Sequence, residues 1–440
     1  MADAASASLP PPRLAYYGDD FTGASDTLAT LAEAGLRALL FLGVPTAARV
    51  AQCGPLDAIG VAGAARSMDP ASMRDELRPV ARFLASLGAP VVQYKCCSTF
   101  DSAPHVGNLA VALEVLGEPL GAPWVGIVGG QPSLGRYCAF GQLFATAGGE
   151  AAFRIDRHPT MSRHPVTPMH EADLRAHLQA QGMAEIGLTD FRRYGDAGEL
   201  QLAGARMLFD VTEAAQLGSI GRALWQKATR EQPVLALGAS SVAQALIACW
   251  RESEICSAAS EAASIDAPQG PVLVLCGSQS PVTARQVDAS SSVFDYLSFD
   301  PERDADAVIE TAERVLGDGR HLLIQTTPPV VSGPSGLSPR HAALATGAML
   351  VRLLRRVPSV RRVGIAGGDT SSFAVQALGG WGLQHIGRLG SGVSLVRCLA
   401  DDDRFDGLEL MLKGGQMGDD GLFGRLVGFP EGSPKGSFDR

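Results

Sequence analysis

Residues 14–28 read LAYYGDDFTGASDTL, and the remainder of the fold can be worked out from them. Leu14 to Tyr17 form a short apolar run, Gly18 ends it, and Asp19 and Asp20 follow as an adjacent acidic pair. Thr22, Gly23 and Ser25 then lead into ASDTLATLAEAG, whose apolar positions recur at helical spacing. Strand, short polar turn, helix is the opening of a βαβ unit, so the stretch predicts a parallel sheet covered by helices. The pattern repeats outward: ALLFLGV, DAIGVAG, a helix near DELRPVARFLASLG, then PVVQYKC and PWVGIVGG. Residues 171–182, EADLRAHLQAQG, have an early acidic turn and helical spacing, and PVLALGASSVAQALIACW reads as strand, Gly/Ser turn and helix.

Between Glu252 and Gly270 the alternation lapses into ESEICSAASEAASIDAPQG, small and polar without a strong apolar period. A linker over 253–270 therefore separates an N-terminal domain, 1–252, from a C-terminal domain, 271–440. The second half restarts as α/β with VLVLCGS, HLLIQTT, a helix around ALATGAMLVRLLRRV, VRRVGIAGGDTSSFAVQALG and LELMLKGGQMGDDGLF. The expected fold class is α/β, two lobes of mostly parallel sheet with flanking helices and a ligand cleft between them.

Composition agrees. The 440 residues are 46% hydrophobic, 19% charged and 6% aromatic, which suits Ala/Val/Leu-filled α/β cores and excludes a disordered or fibrous chain. With 37 Lys+Arg against 46 Asp+Glu the formal charge is 37 − 46 = −9. That balance offers phosphate backbones no broad basic footprint, so no nucleic-acid partner is expected. No apolar run reaches the roughly 18 residues of a membrane span. The start, MADAASASLPPPRLAYY, lacks a basic segment followed by a hydrophobic one, so no membrane partner and a cytoplasmic address are expected. Eight cysteines spread along the chain without CxxC spacing predict reduced, mostly buried thiols. A homo-oligomer is compatible with all of this.

Ligands of open parallel sheets bind beyond the carboxyl ends of the strands, so polar strand-to-helix junctions hold the chemistry. Asp19 and Asp20 can orient a hydroxyl, take its proton or hold Mg2+. Helix capping explains one of them well and both less well. Arg66 and Ser67 follow DAIGVAGAA, and Lys95, Ser98, Thr99, Asp101 and Ser102 close a strand in YKCCSTFDSAPHVGN. Arg as a fork and Lys as a point charge suit a small anion, although lone basic residues at loop ends are more often solvated. DRHPTMSRHPVTPM sets His158, Arg163, His164 and Thr167 among three prolines, with no zinc spacing; a rigid loop that positions a substrate or packs between lobes is expected.

Three small-residue turns follow apolar strands in the second lobe: Gly277-Ser278-Gln279-Ser280 with Thr283, Gly367-Gly368-Asp369-Thr370-Ser371, and Lys413-Gly414-Gly415-Gln416-Met417-Gly418. Backbone amides in such turns cradle phosphate oxygens. Any one alone reads more simply as a tight turn. Neither GxxxxGK[ST] nor GxGxxG occurs, so a nucleotide site here is neither a Walker loop nor a dinucleotide fingerprint.

Taken in order, GDDFTGASDTL, YKCCSTFDS, RHPVTPM, GSQSPVT, AGGDTS and LKGGQMG resemble the signature segments of the four-carbon acid sugar kinase family across nearly the whole chain. The resemblance implies a two-domain α/β kinase, with an N-terminal domain for an acid sugar and a C-terminal domain for ATP. It implies phosphorylation of a terminal hydroxyl of threonate, erythronate, 3-oxo-tetronate or a related compound such as 3-oxo-isoapionate. Its DDFTG segment falls on Asp19 to Gly23, and its YKxCSTFDS segment on Tyr94, Lys95 and Cys97 to Ser102. Its SGSxS turn falls on Gly277, Ser278 and Ser280, its GGxTS turn on Gly367, Gly368, Thr370 and Ser371, and the glycine after its LK on Gly414 or Gly415. Many members carry Glu for Asp369, Ser for Gly414 and Ala for Gly18, departures that bear on substrate subtype more than on kinase activity.

These readings combine into one mechanism. Asp20 or Asp19 orients and deprotonates the attacking hydroxyl. Arg66 and Lys95 clamp the sugar-acid carboxylate, with Thr22, Ser67, Ser98, Thr99, Asp101 and His164 as further substrate ligands. Ser278, Ser280, Gly367, Gly368, Asp369, Thr370, Lys413, Gly414 and Gly415 hold ATP with its Mg2+. The rivals are an NAD(P)-dependent sugar-acid dehydrogenase, opposed by the missing GxGxxG, and a non-catalytic sugar-acid binding protein, opposed by the phosphate-like turns.

Overall fold

The computed structural model describes residues 9–147, 151–164, 166–194, 200, 202–256, 265–303, 305–327 and 339–428, with Pro339, Arg340 and Asp369 described by their backbone alone. The chain divides after Ser260 into two compact units.

In the first unit the strands are β1 (Leu14–Gly18), β2 (Ala38–Phe41), β3 (Ala58–Ala62), β4 (Val91–Lys95), β5 (Val125–Val128), β6 (Arg136–Ala139), β7 (Gln142–Thr146), β8 (Ala152–Arg154), β9 (Ile186–Thr189), β10 (Arg206–Phe209) and β11 (Val234–Gly238). The helices are α1 (Phe21–Glu33), α2 (Ala47–Gln52), α3 (Pro70–Ser86), α4 (Leu109–Leu120), α5 (Leu174–Ala180), α6 (Leu217–Lys227) and α7 (Ser241–Glu252). Eight strands form a parallel sheet in the order β2-β3-β1-β4-β11-β5-β10-β9. β1, β3, β4 and β11 are buried along their whole length, which is why β1, β3 and β11 are unbroken apolar runs instead of alternations, while β4 also buries Gln93 and Lys95. Tyr16 and Tyr17 fill opposite faces: Tyr16 lies over Gly60, where a Cβ would stand 2.2 Å from its ring, and Tyr17 stacks on Tyr94 at 5.7 Å.

Gly18 of β1 is level with Ala62 of β3 and Lys95 of β4, so the chain leaves all three strands at one edge. It visits β2 and β3 on one side of β1, then crosses to β4 on the other. This reversal is the topological switch point at which open α/β sheets bind ligands. The sequence did not predict the small antiparallel sheet β6-β7-β8.

The second unit contains β12 (Val272–Cys276), β13 (Asp295–Phe299), β14 (Leu322–Thr326), β15 (Arg362–Ala366), β16 (Gly380–Gly390), β17 (Val393–Ala400) and β18 (Glu409–Lys413). Its helices are α8 (Pro281–Ala289), α9 (Asp306–Gly317), α10 (Pro339–Arg356), α11 (Gly368–Ala377) and α12 (Leu422–Leu426). The order β13-β14-β12-β15-β18-β17-β16 is parallel from β13 to β18, and β17 and β16 then add on antiparallel. The parallel part reverses between β12 and β15, a second switch point. A separate core under it gathers Val272, Val274, Leu323, Leu395, Met411 and Phe423.

All eight cysteines are free thiols, five of them buried. No helix among the described residues is long and apolar enough to cross a membrane.

Candidate active site

At the β1 edge of the first unit two carboxylates meet two cations. Asp20 is the N-cap of α1: its Oδ1 accepts the Gly23 N–H at 2.8 Å, and its Oδ2 accepts the Thr22 hydroxyl at 2.9 Å. Asp19 caps nothing. Its N–H donates to the Lys95 carbonyl, and its carboxylate is gripped by Arg66 through Nη2 at 2.7 Å and Nε at 3.2 Å. Arg66 Nη1 also reaches Asp20 Oδ2 at 2.8 Å. The capping reading thus accounts for one aspartate, and Arg66 accounts for the other.

Lys95 is buried, donates to the Cys96 carbonyl at 2.9 Å, and approaches α1 closely. A Cβ on Gly23 would stand 2.6 Å from Lys95 Nζ and 2.5 Å from Asp20 Oδ1, so only glycine lets cation and cap share this corner. Gly18 is as tight: a Cβ there would meet that of Ala24 at 2.4 Å. Helix α1 therefore sits closer to β1 than an Ala at position 18 would permit.

The environment separates the two carboxyls. Burial pushes Asp19 up from the ordinary value of 3.8, against the pull of Arg66. Burial also opposes the charged form of Asp20, but Arg66, Lys95, the Gly23 N–H and the Thr22 hydroxyl together outweigh it and hold Asp20 below 3.8. The Asp20 side chain is 22% exposed and that of Asp19 4%, so Asp20 is the one a ligand can touch. Arg66 commits three of its five N–H groups to the pair and retains two.

Beyond Lys95 the chain makes a tight loop. The Thr99 hydroxyl lies 2.5 Å from Asp101 Oδ1 and 2.9 Å from Cys97 Sγ. Phe100, buried, adopts φ +54, which costs a bulky residue strain and needs outside support. Support comes from α5 and the residue that follows it: His177 Nε2 lies 3.1 Å from the Phe100 carbonyl and 2.9 Å from Ser102 Oγ, and Gln181 Nε2 donates to Ser102 Oγ at 2.8 Å. Burial lowers the His177 pKa and so favours the neutral ring. Sequence reasoning missed His177 and Gln181, although their spacing of four places both on one helical face.

Other expected ligands lie elsewhere. Ser67 is exposed and bonds back to the Ala64 carbonyl at 3.2 Å. His164 Nδ1 accepts the Thr167 N–H at 3.1 Å and lies 3.0 Å from its hydroxyl, closing its own proline-rich loop, of which Pro165 is outside the described residues. His158 likewise accepts the N–H groups of Thr160 and Met161. Ser98 is buried beside Thr99.

In the second unit the three glycine turns converge. They leave β12, β15 and β18, adjacent parallel strands whose ends are level: Cys276 pairs with Ala366, and Ala366 with Lys413. Gly277 and Ser278 donate to the Ala366 carbonyl, and Gly367 donates to that of Lys413. Gly367 has φ +129, a conformation reserved for glycine, just ahead of the first turn of α11. A Cβ on Gly277 would stand 2.0 Å from Thr370 Oγ1, and one on Gly415 2.5 Å from Ser278 Oγ. Ser280 caps α8 and donates its hydroxyl to the Gly415 carbonyl at 2.7 Å; Gly414 packs near Met417. The Asp369 side chain is outside the described residues.

Lys413 has no exposed surface: Nζ donates to Thr283 Oγ1 at 2.9 Å and to the Gly415 carbonyl at 3.4 Å. Burial lowers its pKa to about 8.

Residues 14–246 match the family model "Sugar-binding N-terminal domain" and residues 273–423 the model "Nucleotide-binding C-terminal domain". The chain is 36% identical to the 3-oxo-isoapionate kinase of Paraburkholderia graminis, over 94% of this chain and 93% of that one. It is 30% identical to the 3-oxo-tetronate kinase of Cupriavidus necator, over 94% and 96%. Among solved structures, a Salmonella typhimurium LT2 protein superposes with a TM-score of 0.74 at 24% identity, over 94% and 98%. A Haemophilus influenzae protein gives 0.68 at 23%, over 94% and 99%; at these identities both speak to the fold alone.

Proposed function

Since the chain belongs to the four-carbon acid sugar kinase family, we propose that it transfers a phosphoryl group from ATP to the terminal hydroxyl of a 3-oxo acid sugar, with the first unit holding the acceptor and the second the nucleotide. The higher identity to a 3-oxo-isoapionate kinase than to a 3-oxo-tetronate kinase, 36% against 30%, favours the former substrate.

One observation carries the acceptor side: Asp20, partly exposed and with its carboxyl held below the ordinary value, stands beside Arg66 and Lys95 at the switch point of the sugar-binding unit. Asp20 orients the attacking hydroxyl and receives its proton. The two N–H groups of Arg66 not given to the aspartates suit the substrate carboxylate, with Thr22, Thr99 and Asp101 nearest to read its hydroxyls. A strongly basic carboxylate is not required, because phosphoryl transfer depends mainly on in-line placement and neutralised charge.

On the donor side, the turns at 277–280, 367–370 and 414–416 offer backbone N–H groups to the phosphates. Among the described residues no group of three or more His, Cys, Asp or Glu is placed to hold a metal. Mg2+ would enter as the ATP complex, held by the phosphates and water. Its chemical contribution is to offset charge on the transferring group.

A coupled ADP-release assay over C4 and branched C5 acid sugars tests the reading. Turnover with a 3-oxo acid sugar supports it; ATP consumption with none of them overturns the substrate assignment.

A further inference from the structure

The Gly415 carbonyl is the acceptor on which three side chains converge: Ser280 Oγ at 2.7 Å, Thr283 Oγ1 at 3.1 Å and Lys413 Nζ at 3.4 Å. Lys413 also donates to Thr283 Oγ1, so a relay runs from ammonium to hydroxyl to carbonyl beneath the turn. Ser280 and Thr283 lie three residues apart at the start of α8, and Lys413 is the last residue of β18. Three side chains from two elements are thus spent on the orientation of one peptide group.

That peptide is trans, so the N–H of Gln416 points opposite to the Gly415 carbonyl. The carbonyl is drawn toward Ser280, Thr283 and Lys413; the N–H therefore points away from them, at an exposed residue, and no acceptor among the described residues takes it up. Rotating the peptide would break three hydrogen bonds at once, one of them from an ammonium group.

We propose that Lys413 is a positioning residue: with Ser280 and Thr283 it pins the Gly415–Gln416 peptide so that the Gln416 N–H is presented to a phosphate of the bound nucleotide, whose charge Lys413 senses from below the turn. The inference rests on the nucleotide-binding reading of this unit and deepens it. It removes Lys413 from direct contact with phosphate and adds Thr283 and the Gln416 N–H to the machinery.

Electrostatics supports the second half of the proposal. Burial is what lowers the Lys413 pKa to about 8; the titratable group facing it from β12 is the Cys276 thiol, itself pushed up to about 12 by burial. Asp369 is in the first turn of α11, and Asp419 and Arg425 pair with each other at 2.6 Å. An incoming phosphate anion stabilises the ammonium form, so the pKa rises on binding, and between pH 8 and the raised value binding must take up a proton.

Isothermal titration of the full chain with ADP at pH 8.5, in two buffers of different ionisation enthalpy, reads this directly. A fraction of a proton should be taken up per ADP, and none in K413M. K413M should bind ADP about tenfold to a hundredfold more weakly, with the KM for acid sugar unchanged. T283V, which keeps the ammonium but cuts the relay, should lose affinity to a smaller extent and retain proton uptake. Wild-type ADP affinity in a folded K413M, or no proton uptake by the wild type at pH 8.5, overturns the inference. Should K413M not fold, T283V and the wild-type proton count decide. A wild type that binds no ADP at all overturns the nucleotide reading itself, a failure told apart because it needs no variant.

Discussion

Arg66 holds Asp19 with two donors at once, Nη2 to Oδ1 at 2.7 Å and Nε to Oδ2 at 3.2 Å, and the grip leaves Asp20 as the accessible carboxylate of the pair. A planar fork is what makes this geometry, and lysine cannot reproduce it. R66K should therefore lower turnover at least a hundredfold and cost stability as well. Leaving Asp19 short of its partner in a mostly buried setting costs about 3 kcal/mol. Steady-state kinetics with a thermal melt checks both; an R66K enzyme with wild-type turnover would remove the guanidinium from the acceptor site.

Asp20 has two jobs that one substitution separates. Asparagine caps helices about as well as aspartate, so D20N should keep the fold of α1 while losing the proton acceptor. Its kcat is expected to drop by about 10²–10⁴, with a melting temperature within a few degrees of wild type and ADP affinity unchanged. D20A should add about 1 kcal/mol of destabilisation from the lost cap. Near-normal turnover in D20N would leave Asp20 as a cap only.

The opposite displacements of the two carboxyls set the acid behaviour. Asp20, held below 3.8, contributes stability that is present above 3.8 and lost as pH falls through its lower folded value. Asp19 has the reverse sign: its folded pKa is raised, so its protonated form is favoured in the fold and stability is lost as pH rises from 3.8 through the raised value. On acidification the first proton taken up by the pair goes mainly to Asp19, which loosens Arg66 while Asp20 is still ionised. The acid limb of kcat/KM should then lie above pH 3.8, and D19N, neutral throughout, should lack it. A limb unchanged in D19N would assign the titration to another group.

Much of this was legible because the chemistry lies where strands end. LAYYGDDFTG announces strand, turn and capped helix in consecutive residues, and the three glycine turns each follow an unbroken apolar run. Their convergence was not legible: β12, β15 and β18 are neighbours only after the crossovers are placed, and 137 residues separate Ser278 from Gly415. Nor was the commitment of Arg66 to Asp19 and Asp20, 47 and 46 residues earlier in the chain. A basic residue at a loop end reads the same whether it waits for a substrate or holds its own carboxylates. The burial of Lys413 was hidden for a similar reason: the last residue of a strand lies at the boundary between core and loop, and the side chains of α8 decide which way it goes. The antiparallel pair β16 and β17 escaped notice because GGWGLQHIGRLGSG carries too many glycines to show a period of two.

The contact between two of the turns gives the sharpest test of the donor site. Gly277 has a φ that any residue can adopt, so alanine there is opposed by space alone: its Cβ would stand 2.0 Å from Thr370 Oγ1, with Cβ and Cγ2 of the same side chain next at 3.0 Å and 3.2 Å. Rotating the threonine cannot relieve all three contacts, so the first turn of α11 must retreat from the β12 turn and take its outward N–H groups with it. G277A should weaken ADP binding at least tenfold while leaving acid-sugar binding and the first unit untouched. Adding T370A removes Oγ1 and Cγ2, the atoms in the way, and should restore part of the affinity even though it deletes a hydroxyl. Wild-type ADP affinity in G277A would show that the turns do not act together, and a G277A/T370A enzyme weaker than G277A would show that the threonine hydroxyl, not the spacing of the turns, holds the nucleotide.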